Sequence, residues 1–147
     1  MYNAFLEFLN EQKDDDSIYI RLTSSGGSDN MSDLLSDIIN NDDRIKQITF
    51  DWQISSTAFD LMTKIYLKRK INTNVWSILH ISTRDVDYRD NRNKDEHTRF
   101  LVEDIERNNI RTIEKFRKIG VSEENIKLIE QGKDVYLIYE DIMKLKI

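Results

Sequence analysis

Two segments of the chain, each lying between a strand pattern and a helix pattern, hold residue types suited to hydrolysis by a serine. The first contains tandem glycines, Gly26 and Gly27, within residues 23–29, TSSGGSD. Tandem glycines can turn backbone N–H groups toward an anion at a helix N-terminus, or they can simply form a tight turn. The second contains Ser55 and Ser56, which suit either a helix N-cap or a nucleophile beside backbone oxyanion donors. Each junction alone leaves both interpretations open.

Two further side chains could move the proton that a serine nucleophile must lose. His80 stands near the end of a predicted strand over residues 75–81, where open α/β sheets place functional groups. Asp134 immediately precedes a predicted strand over residues 135–138. A serine is inert at neutral pH until a histidine takes its proton, and a carboxylate on the far ring nitrogen fixes the tautomer. Taken alone, His80 could equally be structural and Asp134 a turn residue.

Alternating strand and helix patterns must position these residues. Apolar residues recur at helical or alternating spacing along most of the chain. The predicted strands cover 18–22, 48–54, 75–81 and 135–138. The predicted helices cover 2–11, 31–39, 100–119, 122–131 and 140–145, and a further helix begins at residue 58 and ends near the basic residues 68–70. Gly120 is expected to end the long helix, and Ser28 or Asp29 to cap the helix that follows the glycine pair. Strands that alternate with helices of this length predict an α/β fold with a largely parallel sheet.

Composition limits the class of protein. The 147 residues contain no cysteine, which excludes a disulfide framework, a thiolate metal site and a cysteine nucleophile. The formal net charge of −5 argues against a nucleic-acid-binding protein. We find no signal-peptide pattern and no apolar run near the ~20 residues that span a bilayer. The expectation is a single-domain cytoplasmic protein with no cofactor, no metal and no nucleic-acid or membrane partner.

Taken in order, four segments resemble the ClpP family of self-compartmentalising serine peptidases. Residues 18–27, IYIRLTSSGG, are similar to that family's strand ending in Asn-Ser-Pro-Gly-Gly. Residues 54–59, ISSTAF, are similar to its Ala-Ser-Met-Gly-Ala-Phe nucleophile turn. Residues 68–80, KRKINTNVWSILH, resemble Lys-Arg followed by a strand that ends in Ile-His-Gln-Pro. Residues 120–137 resemble, with one inserted residue, the closing helix and its Arg-Asp-Arg-Phe-Leu segment.

The resemblance implies a catalytic role for each candidate residue. The interval from Ser55 to His80 is 25 residues, the separation that the family shows between nucleophile and base. By this resemblance Ser55 is the nucleophile, His80 is the general base, and Asp134 orients the imidazole. The oxyanion hole would consist of the backbone N–H groups of Gly27 and Ser56.

The resemblance also implies an architecture and partners. It implies a ClpP/crotonase-like fold of repeated β-β-α units in one domain over residues 1–147, with a mostly parallel sheet. A protruding helical handle at about residues 82–119 would join stacked homo-oligomeric rings, which are heptameric in that family. Substrates would be peptides or unfolded proteins. The family's N-terminal axial loops and first strand have no counterpart, so the chain would be a divergent, N-terminally shortened member, and coupling to an AAA+ unfoldase is left open.

Departures from the family pattern sustain two other hypotheses. Ser25 replaces the proline before the glycine pair, Ile81 and Ser82 replace Gln-Pro after the histidine, and Trp52 puts a large aromatic near the serine pair. These departures favour a catalytically weak or inactive ClpP-like subunit that acts in assembly or regulation. A crotonase-type acyl-CoA enzyme is a third hypothesis, because that superfamily shares the repeated plan. The spacing of the serine, histidine and aspartate favours the peptidase over the third.

Overall fold

The computed structural model of the chain describes residues 2–27, 29–81 and 96–147. The contacts between Cα atoms divide it into two compact units. The first unit comprises Met1–Ile78, Tyr136–Met143 and Ile147, and the second comprises Leu79–Val135 and Lys144–Lys146. Two sequence-based predictions, the cap at Ser28 and the charged segment that opens the handle at residues 82–95, lie outside the described residues.

The described chain contains both helices and strands. In order they are α1 (Tyr2–Glu11), β1 (Ile18–Ser24), α2 (Asp29–Asn41), β2 (Ile45–Ile54), α3 (Thr57–Lys64), β3 (Arg69–Ile71), β4 (Trp76–Leu79), α4 (Glu96–Ile119), α5 (Glu123–Glu130), β5 (Val135–Ile138) and α6 (Tyr139–Ile142). The predicted helix over residues 2–11 is confirmed as α1, and the predicted α/β class is confirmed. The alternation holds as far as β3, after which β4 follows β3 directly and α5 follows α4 directly.

The described strands form a five-stranded sheet in the order β1-β2-β4-β5, with β3 also paired to β2. β1, β3 and β4 all run parallel to β2, which confirms the predicted parallel character of the sheet. The ten residues of β2 pair with β3 in their middle and with β4 near their end, where Gln53 lies opposite Trp76. Because β1 and β2 are parallel, their carboxyl ends meet at one edge of the sheet.

One strand escapes the sequence patterns. The sequence pattern predicts that the helix beginning at residue 58 ends near residues 68–70, which is wrong: α3 ends at Lys64, and Arg69–Ile71 pairs with Ile48–Phe50 of β2. Three residues, two of them charged, are too few to show the alternation on which strand prediction depends. β2 also begins at Ile45, three residues before the predicted start at residue 48. At β3 and at the start of β2, hydrogen bonding to a neighbouring strand determines where the strand lies, and the local sequence pattern does not.

The core of the first unit lies between the sheet and the helices that follow its strands. Ile45, Ile48, Phe50 and Ile54 of β2 are all essentially inaccessible to solvent. Six of the eight residues of α3 are buried, so this helix presses most of its surface into the same core. Each fully buried large apolar side chain contributes about 1.5–3 kcal/mol relative to leaving it exposed. The end of β2 and the start of α3 are therefore held in place by burial on both sides.

A bulge interrupts β2 just before its end. Leu22 of β1 pairs with Phe50, whereas Ser24 pairs with Ile54. Over this interval β2 therefore contains two more residues than β1. The alternation predicts Trp52 on the same face as its neighbours at positions 50 and 54. Instead Trp52 has φ 55° and is 62% exposed. The bulge reverses the direction of that side chain while the strand continues.

The second unit contains the long helix α4, which is 24 residues in length, and the short helix α5. As predicted, Gly120 ends α4 in a left-handed conformation, with φ +91°. The N–H of Val121 donates to the carbonyl of Phe116 at 3.0 Å, which completes the C-terminal turn. Arg117 then forms ion pairs with both Glu123 and Glu130 of α5. The end of α4 is therefore capped and joined by ion pairs to α5.

Candidate functional site

The two candidate junctions lie side by side at the carboxyl edge of the sheet. Gly26 and Gly27 follow β1, and Ser55 and Ser56 follow β2. The N–H of Ser55 donates to the carbonyl of Ser24 at 3.0 Å, so the pairing of the two strands extends into the second junction. Segments that are about 30 residues apart in sequence are thus in direct contact.

The glycine turn lies so close to the serine pair that position 26 has no room for a side chain. A Cβ atom at position 26 would lie 2.6 Å from Ser56 Cβ and 3.1 Å from the Ser55 carbonyl oxygen. Gly26 also has φ +121°, a conformation that side chains disfavour. The Thr57 hydroxyl donates to the carbonyl of Gly27 at 3.0 Å, which ties this turn to the first residue of α3. The segment is therefore a tight turn, and the same close approach to the serine pair would suit a functional turn.

Ser55, the predicted nucleophile, is a buried residue that holds strands together. It is 3% exposed, and its hydroxyl oxygen accepts a hydrogen bond from the N–H of Ile78 in β4 at 2.9 Å. Its carbonyl accepts from the N–H of Ala58 at 3.1 Å, inside the first turn of α3. Its side chain and backbone thus connect β4 and α3 at the end of β2.

Ser56 occupies the N-cap position of α3 but does not cap it. Its backbone has φ 53° and ψ −127°, and its side chain makes no capping hydrogen bond. The interpretation of this serine as an N-cap is therefore wrong in its chemistry, although its position is that of a cap. A non-glycine residue in such a conformation costs about 1–3 kcal/mol, and such strain concentrates at active sites. Ser56 is half-buried, whereas Ser55 is buried.

His80 and Asp134, the predicted base and its partner, belong to the second unit, whereas Ser55 belongs to the first. His80 directly follows β4, two residues after the Ile78 whose N–H reaches Ser55. Asp134 directly precedes β5. Both side chains are exposed. Their assembly with a serine into a triad stays a prediction.

Neither a protein-family model nor a curated protein matches this sequence. The geometry of the junctions is therefore the basis on which a function can be inferred. Within the described ranges no group of three or more His, Asp and Glu side chains could hold a metal ion. Of the described helices, none combines the length and apolar character needed to cross a membrane.

An apolar cavity of about 530 Å³ lies against the glycine turn within the first unit. Its walls come from α1, β1, the glycine turn, α2, β2 and α3. The residues that form it are Phe5, Ile20, Leu22, Ser24, Gly26, Gly27, Met31, Ser32, Leu35, Ile39, Ile48, Thr57, Ala58 and Leu61. Its volume is in the range of small-ligand pockets, which are mostly apolar with few polar groups. The candidate site therefore has apolar space beside it.

A buried carboxylate, which the sequence analysis did not single out, organises the bulge next to the site. Asp51 is 2% exposed, and the Nε of Arg21 donates to it at 2.6 Å. Burial acts to raise the pKa of this carboxyl, whereas hydrogen bonds from Arg21, Asn72 and Asn74 act to lower it. The hydrogen bonds outweigh the burial, so the pKa of Asp51 lies below its usual range. An acidic residue inside the apolar run of β2 was the available signal.

Replacing Asp51 is expected to make stability less dependent on acid. Because the folded carboxyl has a pKa below the ordinary 3.8, its ionised form stabilises the fold above that pH. This contribution is lost as the pH falls through the folded pKa. Asp51→Asn should therefore lower the urea midpoint near pH 7 and show a smaller further loss between about pH 6 and about pH 3 than the wild type.

The matched control for this measurement is Asp43→Asn. Asp43 is exposed, in the turn before β2. Its variant should follow the acid dependence of the wild type throughout. If Asp51→Asn and the wild type lose equal stability in acid, the Asp51 cluster does not contribute the pH dependence assigned to it.

Proposed function

We propose that this protein is a serine hydrolase of the ClpP type that cleaves peptide bonds through an acyl-enzyme intermediate. The observation that carries the proposal is the contact between the Gly26–Gly27 turn and the Ser55–Ser56 junction. That contact sets a serine hydroxyl beside a glycine turn and the first turn of a helix, which is the arrangement that acyl transfer requires. An apolar cavity adjoins the same turn and offers space for an apolar substrate side chain.

In the proposed reaction a serine of the junction attacks the carbonyl carbon of the scissile bond. His80 would accept the hydroxyl proton and return it to the leaving amine, and Asp134 would orient the imidazole. Backbone N–H groups of the glycine turn and of the start of α3 would stabilise the oxyanion. Glycine suits this position because the substrate backbone must approach closely.

The assembly also belongs to the proposal. By the resemblance to ClpP-like peptidases, the chain would form a ClpP/crotonase-like domain with a handle at about residues 82–119. Copies of that domain would stack as rings in the cytoplasm and enclose their peptide or unfolded-protein substrates. Native mass spectrometry of the full chain should then show a homo-oligomer.

The test combines a fluorophosphonate, which acylates activated serines, with hydrolysis of a fluorogenic peptide by the full-length protein. Wild type should be labelled and should cleave the peptide. The double variant Ser55→Ala/Ser56→Ala should lose both properties. Ser25→Ala, which removes an exposed serine of the glycine turn, is the matched control and should keep both. A folded wild-type protein that is neither labelled nor active would refute the proposal.

A second candidate function is a ClpP-like subunit without catalysis, acting in assembly or regulation. The burial of Ser55 favours it, because the hydroxyl aligned with the family's nucleophile already accepts a hydrogen bond from Ile78. In that case the folded oligomer forms, and the fluorophosphonate labels neither serine of the junction.

A further inference from the structure

Ser55 and Ser56 are neighbours in sequence but differ in what a nucleophile needs. A nucleophilic oxygen must approach a carbonyl carbon to within about 3–3.5 Å before reaction. Ser55 is 3% exposed, and its oxygen accepts a hydrogen bond of 2.9 Å from the Ile78 amide. A buried hydroxyl oxygen that already accepts a hydrogen bond offers a substrate little access. Ser55 is therefore placed to fix the junction rather than to attack.

Ser56 has the opposite properties. It is half-buried rather than buried, and its side chain makes no capping hydrogen bond to α3. Its angles, φ 53° and ψ −127°, are strained for a residue other than glycine. A strained strand-to-helix turn is also what exposes the nucleophilic serine above the end of the sheet in α/β-hydrolases. An ordinary N-cap residue has extended backbone angles, which cost less conformational free energy than those of Ser56.

The glycine turn makes its closest approach to the side chain of Ser56. The Cα of Gly26 faces the Ser56 side chain so closely that a Cβ there would lie 2.6 Å from Ser56 Cβ and 3.1 Å from its Oγ. The apolar cavity includes Gly26, Gly27 and Thr57 in its wall. The glycine turn that contacts Ser56, and the residue that follows Ser56 in sequence, thus line an apolar space that an acyl group could enter.

We propose that Ser56 is the nucleophile and that Ser55 is a positioning residue. This inference rests on the proposed hydrolase function and shifts the resemblance-based assignment by one residue. Ser56 Oγ forms a bond to the substrate carbonyl carbon while its proton passes to the base, for which His80 is the predicted residue. The C–N bond then breaks, and the amine leaves with that proton. Water hydrolyses the resulting ester, which releases the carboxylic acid and restores the hydroxyl.

The oxyanion donors shift with the nucleophile. In the strained serine turn the donors are the N–H of the residue after the nucleophile and one from a neighbouring loop. Here these are the N–H of Thr57 and an N–H of the Gly26–Gly27 turn. Gly27 keeps the role that the resemblance gave it, and Thr57 replaces Ser56.

The experiment maps the fluorophosphonate adduct on the full-length protein by mass spectrometry and repeats the labelling on Ser55→Ala, Ser56→Ala and Ser56→Gly. The adduct is expected on Ser56. Ser56→Ala and Ser56→Gly should lose labelling and lower peptide hydrolysis by more than ~1,000-fold, whereas Ser55→Ala should retain labelling at Ser56. Ser56→Gly guards against misfolding, because glycine adopts φ 53° without strain and should melt no lower than the wild type.

The outcomes separate the two proposals. An adduct on Ser55, lost in Ser55→Ala and kept in Ser56→Gly, overturns this inference and leaves the hydrolase function standing. An adduct on neither serine of a folded wild-type protein overturns both. An adduct on Ser56 that persists in Ser55→Ala supports both.

Discussion

Gly26→Ala is expected to destabilise the protein by at least ~2 kcal/mol and to abolish fluorophosphonate labelling. Two costs add. The backbone of Gly26 has φ +121°, which alanine adopts only with strain, and the new Cβ would lie 2.6 Å from Ser56 Cβ. A Cβ is fixed to its backbone, so relief requires moving the glycine turn away from the start of α3. Urea unfolding followed by circular dichroism measures the first effect, and mass spectrometry the second.

The neighbouring glycine supplies the control. A Cβ at Gly27 meets no atom within 4 Å, and its φ lies outside the left-handed region. Gly27→Ala should therefore leave stability unchanged or raise it by about 0.4–1 kcal/mol through the unfolded chain. Equal stability of the two alanine variants would mean that the close approach between the two junctions does not exist in solution.

Much of this arrangement was predictable from sequence because it depends on local chemistry. Alternating apolar residues predicted the strands, and the glycine and serine pairs predicted where the strands turn into helices. Parallel strands then bring their carboxyl ends together without further information. The topology already implied that the two junctions are neighbours, and the structure shows how closely residues 26 and 56 approach each other.

Other features were not predictable because they depend on tertiary pairing. Trp52 continues the alternation of its strand, and nothing local distinguishes it from Phe50. Its exposure follows from the bulge, which the buried Asp51 and its hydrogen-bond donors stabilise from other strands and loops. β3 is defined by its pairing with β2 and not by its three residues.

The choice between two adjacent serines is the clearest limit of the sequence. Both are serines at the same junction, and alignment with a family motif selects Ser55 by its position before Ser-Thr-Ala-Phe. The backbone angles of Ser56 and the burial of Ser55 follow from how β4 and α3 pack around the end of β2. Neither composition nor spacing distinguishes the role of Ser55 from that of Ser56.

His80→Ala is expected to lower the rate of peptide hydrolysis by about 100- to 10,000-fold, the usual contribution of a general base. The serine hydroxyl must lose a proton as it attacks, and His80 is the histidine that follows the strand paired beside β2. Because the side chain is exposed, its removal should leave the melting temperature nearly unchanged. Steady-state hydrolysis of the fluorogenic peptide, with a thermal melt of each variant, measures both.

The chain contains only two histidines, so His97→Ala is a natural control and should retain the wild-type rate. Added imidazole should partly restore the rate of His80→Ala, because a small base can occupy the space left by the side chain, whereas a purely structural histidine would not be rescued in this way. If His80→Ala keeps its rate while Ser56→Gly loses it, the nucleophile assignment stands and the triad does not. The proton acceptor would then have to be sought among the other groups around the glycine turn.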